Sequence, residues 1–233
     1  MQRTHTRVNN AYKHVESHLM ARCAALNVSE NFDHIFLRAF KKEAELEIWI
    51  KNVQGEFVLF NTYKIYAQSG TLGPKRQQGD AQVPEGFYYI REFNPYSRYH
   101  LSLGINYPNE SDMLLSSAPH KGGSIYIHGG SVSAGCLAMS DKYIEEIYVC
   151  AVKARNAGQE KIPVHIFPFR MTTQNMMAFL SHPQLKIHSR FWYNLQQGYL
   201  YFEEKKRVPV VQVNNDGYYT FSDSETSGLS ATK

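Results

Sequence analysis

The chain has 233 residues, a net charge of +4 and 43% hydrophobic residues, including 16 Tyr and 13 Phe. This length and aromatic content predict one folded domain with elaborations, and they exclude an intrinsically disordered chain. The basic triplet at 205–207 is too short to indicate a nucleic-acid partner.

No stretch approaches the roughly 18 consecutive apolar residues of a transmembrane helix, so we predict no membrane span. Residues 1–7 (MQRTHTR) lack the apolar segment of a signal peptide. Two locations therefore stay open at this point. The protein is either cytoplasmic or the mature form of an exported protein whose signal has been removed.

The chain contains three cysteines, an odd number that argues against a disulfide framework. Cys23 and Cys150 lie among apolar residues at helical spacing, which predicts that both are small core residues. Cys136 differs, because it follows Gly135 in a polar loop. It is the cysteine with a sequence context suited to chemistry.

The first half of the chain predicts one helix followed by strands. Apolar residues at a 3.6-residue period indicate a helix over 10–30. A short apolar stretch at 35–40 leads into a turn at 41–43. Alternating and apolar segments then predict strands at 46–50, 57–60 and 63–67, the first two forming a hairpin. Residues 70–85 form a long loop rich in Gly, Pro and Gln, which is either functional or a plain surface excursion.

The second half alternates strands with helices. Further strands are predicted at 86–91, 99–103, 125–128 and 162–167. Ser140 and Asp141 are predicted to cap a helix that ends before Gly158, and further helices are predicted at 172–180 and 190–195. The fold class is therefore mainly β with flanking helices, and α+β elaborations occupy both termini.

We divide the chain into four parts. They are an N-terminal helical segment (1–44), a central domain (45–168), a C-terminal helical extension (169–222) and a disordered Ser/Thr-rich tail (223–233).

The segment 125–139, IYIHGGSVSAGCLAM, carries the strongest chemical signal. It places His128 at the end of an apolar strand and Cys136 eight residues later, across a Gly/Ser loop and ahead of a helix. A cysteine attacks as the thiolate, whose pKa an imidazole or a helix N-terminus lowers. The segment predicts a nucleophile with its base; a buried cysteine beside an unrelated histidine is the alternative.

Other polar residues are interpreted as structural. His120, His128 and Cys136 are too scattered for a zinc site, so no metal is predicted. Ser133 lacks the strand–turn–helix context of a serine nucleophile and is predicted to supply hydrogen bonds within the loop. Asp80 and Glu85 are interpreted as turn-stabilising residues.

Three ordered blocks carry a resemblance to a known family. They lie at 66–88 (YAQSGTLGPK continuing into GDAQVPEGFY), 99–109 (YHLSL followed by YPN) and 128–136 (HG to SAGC). Together they resemble the YkuD-type L,D-transpeptidase catalytic domain, in the branch that includes the enzyme detaching murein lipoprotein from peptidoglycan. The resemblance spans about 45–168 and implies a β-sandwich or barrel.

The resemblance implies roles for the residues of the loop. Cys136 would be the nucleophile and His128 the general base and acid. The amides of Gly135 and Cys136 would donate to the oxyanion, with Ser133 and Gly129 in the same loop. Thioester chemistry of this kind needs no cofactor.

The chain also departs from the family pattern at three positions. Val83 stands where Thr is usual, Ala134 replaces a second histidine, and Ala138 occupies the position of a substrate-orienting arginine. Substitute substrate contacts are predicted at the residues of one segment, Arg98, Tyr99 and His100. A surface or strand-face role is the alternative for Arg98 and His100.

The implied function is a cysteine-dependent L,D-transpeptidase that acts on diaminopimelate-containing stem peptides through a thioester. A hydrolytic member of the family, an L,D-peptidase or an enzyme releasing a peptidoglycan-attached lipoprotein, is the first alternative. A non-catalytic peptidoglycan-binding protein is the second. The expected partners are peptidoglycan stem peptides and a peptidoglycan-linked lipoprotein, and the expected location is the periplasm or cell envelope.

Overall fold

The computed structural model describes residues 2–223, so the predicted disordered tail lies outside the described residues except for Asp223. One eight-stranded sheet dominates it. The strands are β1 (Ile35–Phe40), β2 (Glu45–Lys51), β3 (Phe57–Lys64), β4 (Gly86–Asn94), β5 (Ser102–Ile105), β6 (Tyr126–His128), β7 (Leu137–Ala138) and β8 (Pro163–Phe167).

Helices and a separate hairpin complete the fold. The helices are α1 (Thr6–Leu26), α2 (Glu110–Leu115), α3 (Ser140–Asn156), α4 (Thr173–Leu180) and α5 (Ser189–Lys205). The hairpin consists of β9 (Val210–Val213) and β10 (Tyr219–Ser222). The prediction of a mainly β fold with flanking helices is confirmed. Among the described residues, no helix has both the length and the apolar character needed to cross a bilayer.

The sheet runs in the order β3-β2-β1-β8-β4-β5-β6-β7 and is mixed. The pairs β1–β8 and β6–β7 are parallel, and the other neighbouring strands are antiparallel. Its two ends approach each other, because Ala67, just after β3, forms an isolated bridge with Ala138 in β7. The sheet therefore curls.

Both faces of the sheet are covered, which explains why β1 is buried at every position. Successive side chains of a strand point to opposite faces. Ile35 and Leu37 belong to the core cluster that contains the buried stripes of α1 and α3. Phe36 packs instead against Phe202 of α5, with ring centroids 4.8 Å apart.

Several boundaries differ from the predicted ones. The helix α5 extends to Lys205 rather than 195, and the hairpin β9–β10 occupies part of the extension predicted to be helical. The strand β5 begins at Ser102, not at 99. The N-cap of α3 is Met139, which makes no side-chain cap hydrogen bond. Neither α2 nor β7 was predicted, because both are short.

Candidate active site

Two short parallel strands bring the predicted nucleophile beside the predicted base. In the β6–β7 pair, Ile127 is opposite Leu137 and His128 is opposite Ala138. Cys136 immediately precedes β7, and the amide nitrogen of Tyr126 lies 3.4 Å from its Sγ. Because side chains alternate along a strand, His128 and Cys136 lie on the same face of neighbouring strands.

Hydrogen bonds from two serines fix the loop between the strands. The Ser133 hydroxyl accepts the Cys136 N–H at 3.0 Å and donates to the Cys136 carbonyl at 2.7 Å. The Ser69 hydroxyl accepts the Gly135 N–H at 2.7 Å. Gly135 itself has φ +99°, a conformation that favours glycine. The loop role predicted for Ser133 is therefore present.

The same bonds bear on the expected oxyanion site. The Gly135 and Cys136 amides were predicted to donate to the substrate oxyanion, but in this conformation both donate to serine hydroxyls. The amide of Gly129 is also engaged, with the Leu101 carbonyl at 3.1 Å. Each of these amides can donate to a substrate oxyanion only after its present hydrogen bond has broken.

One hydrogen bond defines the tautomer of His128. Its Nδ1 lies 2.6 Å from the Gly129 carbonyl oxygen, which can only accept, so Nδ1 carries the proton. In the neutral ring Nε2 is then an acceptor. Burial lowers the pKa of His128, and the bond to Gly129 opposes this only in part. The imidazole is thus neutral and basic at Nε2 near pH 7.

The environment of Cys136 differs from the expected one. Burial raises the pKa of its thiol, while the Tyr126 amide and the nearby Lys75 charge lower it by less. The N-terminus of α3 was expected to lower the thiol pKa, but burial has the larger effect. The first turn of α3 also carries the acidic Asp141, which accepts the Gly130 N–H at 2.8 Å. The resting cysteine is therefore a neutral thiol beside a neutral imidazole.

The other two cysteines are core residues, as predicted. Cys23 in α1 and Cys150 in α3 are fully buried and free. Burial raises the pKa of Cys23 to about 11 and also raises that of Cys150. Neither thiol is accessible to a substrate.

The three predicted substrate contacts have different surroundings. The ring of Tyr99 packs on His128, with centroids 4.6 Å apart and an interplanar angle of 32°. His100 Nε2 lies 2.8 Å from Glu145 Oε1 on α3, so this histidine holds the helix and is not free for substrate. Arg98 is exposed at the surface. Of the three, Tyr99 alone contacts the predicted base.

The two alanine departures occupy different environments. Ala138 is fully buried in β7, where a longer side chain has no room. Ala134 is exposed and lines a groove of about 580 Å³. Ser124 lies on the same groove wall, and its carbonyl oxygen is 3.7 Å from the Cys136 Sγ. The sequence did not reveal this groove.

A buried ion pair anchors the long loop at 70–85. Lys41 Nζ donates to Glu85 Oε1 at 2.9 Å and to the carbonyls of Gly73 at 2.7 Å and Val83 at 3.0 Å. The Trp192 indole N–H donates to the other Glu85 oxygen at 2.8 Å. Glu85 thus does more than stabilise a turn, because it joins β1, the loop and α5.

Asp80 stabilises a turn in the same loop, as predicted. Its carboxylate accepts the backbone N–H groups of Arg76, Gln77 and Gln82 and pairs with Lys75 at 2.5 Å. Burial opposes ionisation, yet these hydrogen bonds outweigh it and lower the pKa of Asp80. Over residues 2–223, no three His, Cys, Asp or Glu side chains are grouped so that they could hold a metal ion.

Comparison with solved structures gives the following matches. A point mutant of the helical cell shape determining protein Pgp2 from Campylobacter jejuni aligns at a TM-score of 0.48 and 20% identity, over 72% of this chain and 56% of that one. Bd1075 from Bdellovibrio bacteriovorus aligns at a TM-score of 0.42 and 21% identity, over 73% of this chain and 59% of that one. The chain thus spans little more than half the length of each.

Sequence comparison is more specific. The protein named "Putative L,D-transpeptidase YafK" in Escherichia coli strain K12 is 37% identical over 186 residues, which is 79% of this chain and 72% of that protein. Its namesake in Escherichia coli O157:H7 matches equally. The family model for YkuD, the L,D-transpeptidase catalytic domain, matches residues 48–166, which include every strand from β3 to β7 and the segment with His128 and Cys136. The chain belongs to the YkuD family of L,D-transpeptidase catalytic domains.

Proposed function

We propose that the protein is a cysteine-dependent L,D-transpeptidase acting on diaminopimelate-containing stem peptides of peptidoglycan. One observation carries the proposal. The half-buried Cys136 immediately precedes the strand that pairs with β6, and its Sγ lies 3.7 Å from the carbonyl oxygen of Ser124 in the groove wall. On β6, the Nδ1 proton of His128 is held by Gly129, so that Nε2 is left as a base. A neutral imidazole is suited to take a proton from a neutral thiol.

The reaction proceeds through one acyl-enzyme. The Cys136 sulfur attacks the carbonyl on the L-centre of diaminopimelate while His128 Nε2 takes the thiol proton. The tetrahedral adduct collapses, the peptide C–N bond breaks, and the imidazolium returns its proton to the leaving amine. An acceptor amine then attacks the thioester, gives a proton to His128 and releases the thiol.

Water can take the place of the acceptor amine, which makes hydrolysis the second candidate. The groove beside Cys136 is open to solvent, so water has access to the thioester. The products would then be a shortened stem peptide or a lipoprotein released from peptidoglycan. Either reaction requires a location in the periplasm or cell envelope, where the substrate is found.

The test is mass spectrometry of purified muropeptides incubated with the protein, with and without an amine acceptor. We expect a thioester adduct on Cys136 and either a transfer product or a hydrolysis product. Cys136→Ala should form neither adduct nor product. The control is the unmodified state of Cys23 and Cys150 in the same spectra. If the C136A protein processes muropeptides as the unaltered protein does, Cys136 is not the nucleophile and the proposal fails. If the unaltered protein gives neither adduct nor product, a binding role remains.

A further inference from the structure

The groove beside Cys136 has a polarity that the acyl-transfer chemistry does not itself require. Three basic side chains line it, those of Lys75, His120 and Lys121, and no acidic residue does. The Lys75 charge is matched by Asp80, 2.5 Å away. The excess positive charge therefore lies at the end formed by His120 and Lys121.

Neither of those two residues is paired with a carboxylate among the described residues. Lys121 Nζ donates to the Ala118 carbonyl oxygen at 2.6 Å, which satisfies one of its three donors and leaves its charge uncompensated. His120 is exposed, and its ring makes no hydrogen bond within residues 2–223. An anionic group in the groove thus finds two free donors.

The backbone that carries these side chains is fixed. The Gln78 N–H donates to the His120 carbonyl at 2.9 Å. The hydroxyl of the buried Tyr107 donates to the Lys121 carbonyl at 2.9 Å. Because the backbone of both residues is held by these hydrogen bonds, less of it has to be ordered on binding, which lowers the entropic cost.

Part of the groove wall is apolar. Pro108, Met113, Pro119 and Ile125 contribute to its lining. An apolar wall ending in a lysine ammonium and a histidine ring fits a ligand with an aliphatic chain and a terminal carboxylate. Diaminopimelate in a stem peptide has this chemistry, and Ala138 leaves no cation on β7 to bind it.

We propose that His120 and Lys121 form a carboxylate-binding subsite that orients the stem peptide toward Cys136. This inference rests on the proposed function. The two residues that flank the scissile bond offer two candidate carboxylates: the free carboxylate on the D-centre of diaminopimelate, and the terminal carboxylate of the residue that leaves. Both present the same chemistry to the groove.

The experiment compares three substrates, namely the free tetrapeptide muropeptide and its two monoamides. One is amidated on the D-centre and the other at the C-terminus. We expect one amide to lower kcat/KM by about fivefold or more, as lost ion pairing in a partly exposed site implies, mainly through KM. In Lys121→Met and His120→Gln this discrimination should fall to about twofold or less. Lys13→Met, on the exposed face of α1, is the matched control and should keep it.

Binding of the same three peptides to the Cys136→Ala protein separates the two proposals. We expect the free peptide to bind more tightly than the discriminated amide, and Lys121→Met to remove this difference. If all three peptides give the same kcat/KM and Kd, the subsite proposal alone is overturned. The same holds if the difference between the free peptide and an amide persists in both Lys121→Met and His120→Gln. An absence of acyl-enzyme together with a charge-dependent Kd overturns the proposed function and supports the subsite. An absence of both overturns both.

Discussion

His128 and Cys136 are held as a neutral pair by different contacts. The Gly129 carbonyl fixes the Nδ1 proton of His128, and Tyr99 covers the ring. Burial lowers the pKa of the imidazole and raises that of the thiol, so both shifts oppose a resting ion pair. In the proposed reaction, the thiolate therefore forms only when His128 removes the proton during attack on the substrate.

This pairing gives a specific pH dependence. The imidazole must be unprotonated, so kcat/KM should rise through a pKa below 6.5 and stay level until the thiol ionises above pH 9. Alkylation of Cys136 by iodoacetamide should accelerate only as the pH passes 9. His128→Gln should lower kcat/KM by about 100- to 10,000-fold. Alkylation already complete at neutral pH with a low apparent pKa would show a preformed thiolate instead.

Tyr99 is expected to act as a positioning residue through its contact with His128. Tyr99→Ala exposes the imidazole, so its pKa should rise toward 6.5 and shift the acid limb of kcat/KM to higher pH. The plateau should fall roughly tenfold, because the base is less well oriented. Tyr99→Phe should restore both values. Tyr96→Ala, which removes an exposed ring nearby, is the control, and an unchanged acid limb in Tyr99→Ala would contradict the role.

The sequence predicted His128 and Cys136 as a pair because both lie in one short segment whose spacing reflects a strand, a loop and a second strand. It gave the wrong direction for the thiol pKa. That pKa depends on how deeply the side chain is buried and on Lys75, which comes from another loop. The partner of His100, Glu145 on α3, is likewise a tertiary contact that no local pattern reports.

At the scale of elements, the loop at 70–85 is held in place and supports a second loop, the one between His128 and Cys136. Lys41 binds the loop at both Gly73 and Val83 and is nearly inaccessible, as is Glu85. Ser69, which immediately precedes this loop, contacts the loop between His128 and Cys136, because its hydroxyl accepts the Gly135 N–H. A buried ion pair thus supports the backbone of the active site.

Removing one charge of this pair should be costly. Glu85→Gln leaves the Lys41 ammonium buried without its counter-ion, and we expect a loss of about 3 kcal/mol in the free energy of unfolding. Urea denaturation measures it. Glu16→Gln, which removes the surface pairs with Arg3 at 3.1 Å and Lys153 at 3.7 Å, should cost less than about 1 kcal/mol. Equal effects of the two substitutions would show that the buried pair is not structural.

The sequence predicted this loop but not its anchors. Its Gly and Pro content predicts a loop whatever the rest of the fold is, because this signal is local. Lys41 and Trp192, by contrast, lie far from Glu85 along the chain. Only the packing of β1 and α5 brings them together. Asp80 was predictable because its acceptor contacts are local, within five residues on the N-terminal side and two on the other.

At the scale of the whole molecule, α5 is part of the core and not an appendage. It closes the sheet face opposite α1 and α3 with aromatic side chains, and it lies close to β4 at Gly198. A Cβ at this position would be 2.5 Å from the Phe87 ring and 2.5 Å from the Phe221 ring. Glycine therefore allows the helix, the sheet and the hairpin to meet.

Gly198→Ala tests this close approach. Alanine favours a helix by about 1 kcal/mol, but overpacking against two rings should outweigh that gain. We expect a net loss of about 1–2 kcal/mol in denaturant unfolding. Gly123→Ala is the matched control and should be neutral, because its Cβ would meet no atom within 4 Å. A more stable Gly198→Ala protein would contradict the packing argument.

Sequence patterns predicted the fold class but misjudged the C-terminal part. The mid-helix Gly198 made α5 appear shorter than it is, because glycine is disfavoured in isolated helices. The hairpin β9–β10 is only four residues per strand and is stabilised by tertiary contacts such as the Phe87–Tyr219 ring pair, 4.8 Å apart. Long-range packing overrides local propensity in both elements.

The bridge between Ala67 and Ala138 has a consequence for the order of folding. It joins segments far apart along the chain, and such contacts form late because the intervening loop must first be closed. The Ala138 N–H donates to the Ala67 carbonyl at 3.0 Å, and the Ala138 carbonyl accepts the Tyr66 N–H at 2.8 Å. Cys136 is two residues from this closure. In a partly folded chain that has not yet formed the Ala67–Ala138 bridge, the predicted nucleophile is therefore not yet positioned. The Cys136 thiol reaches its place beside β6 only when this bridge forms.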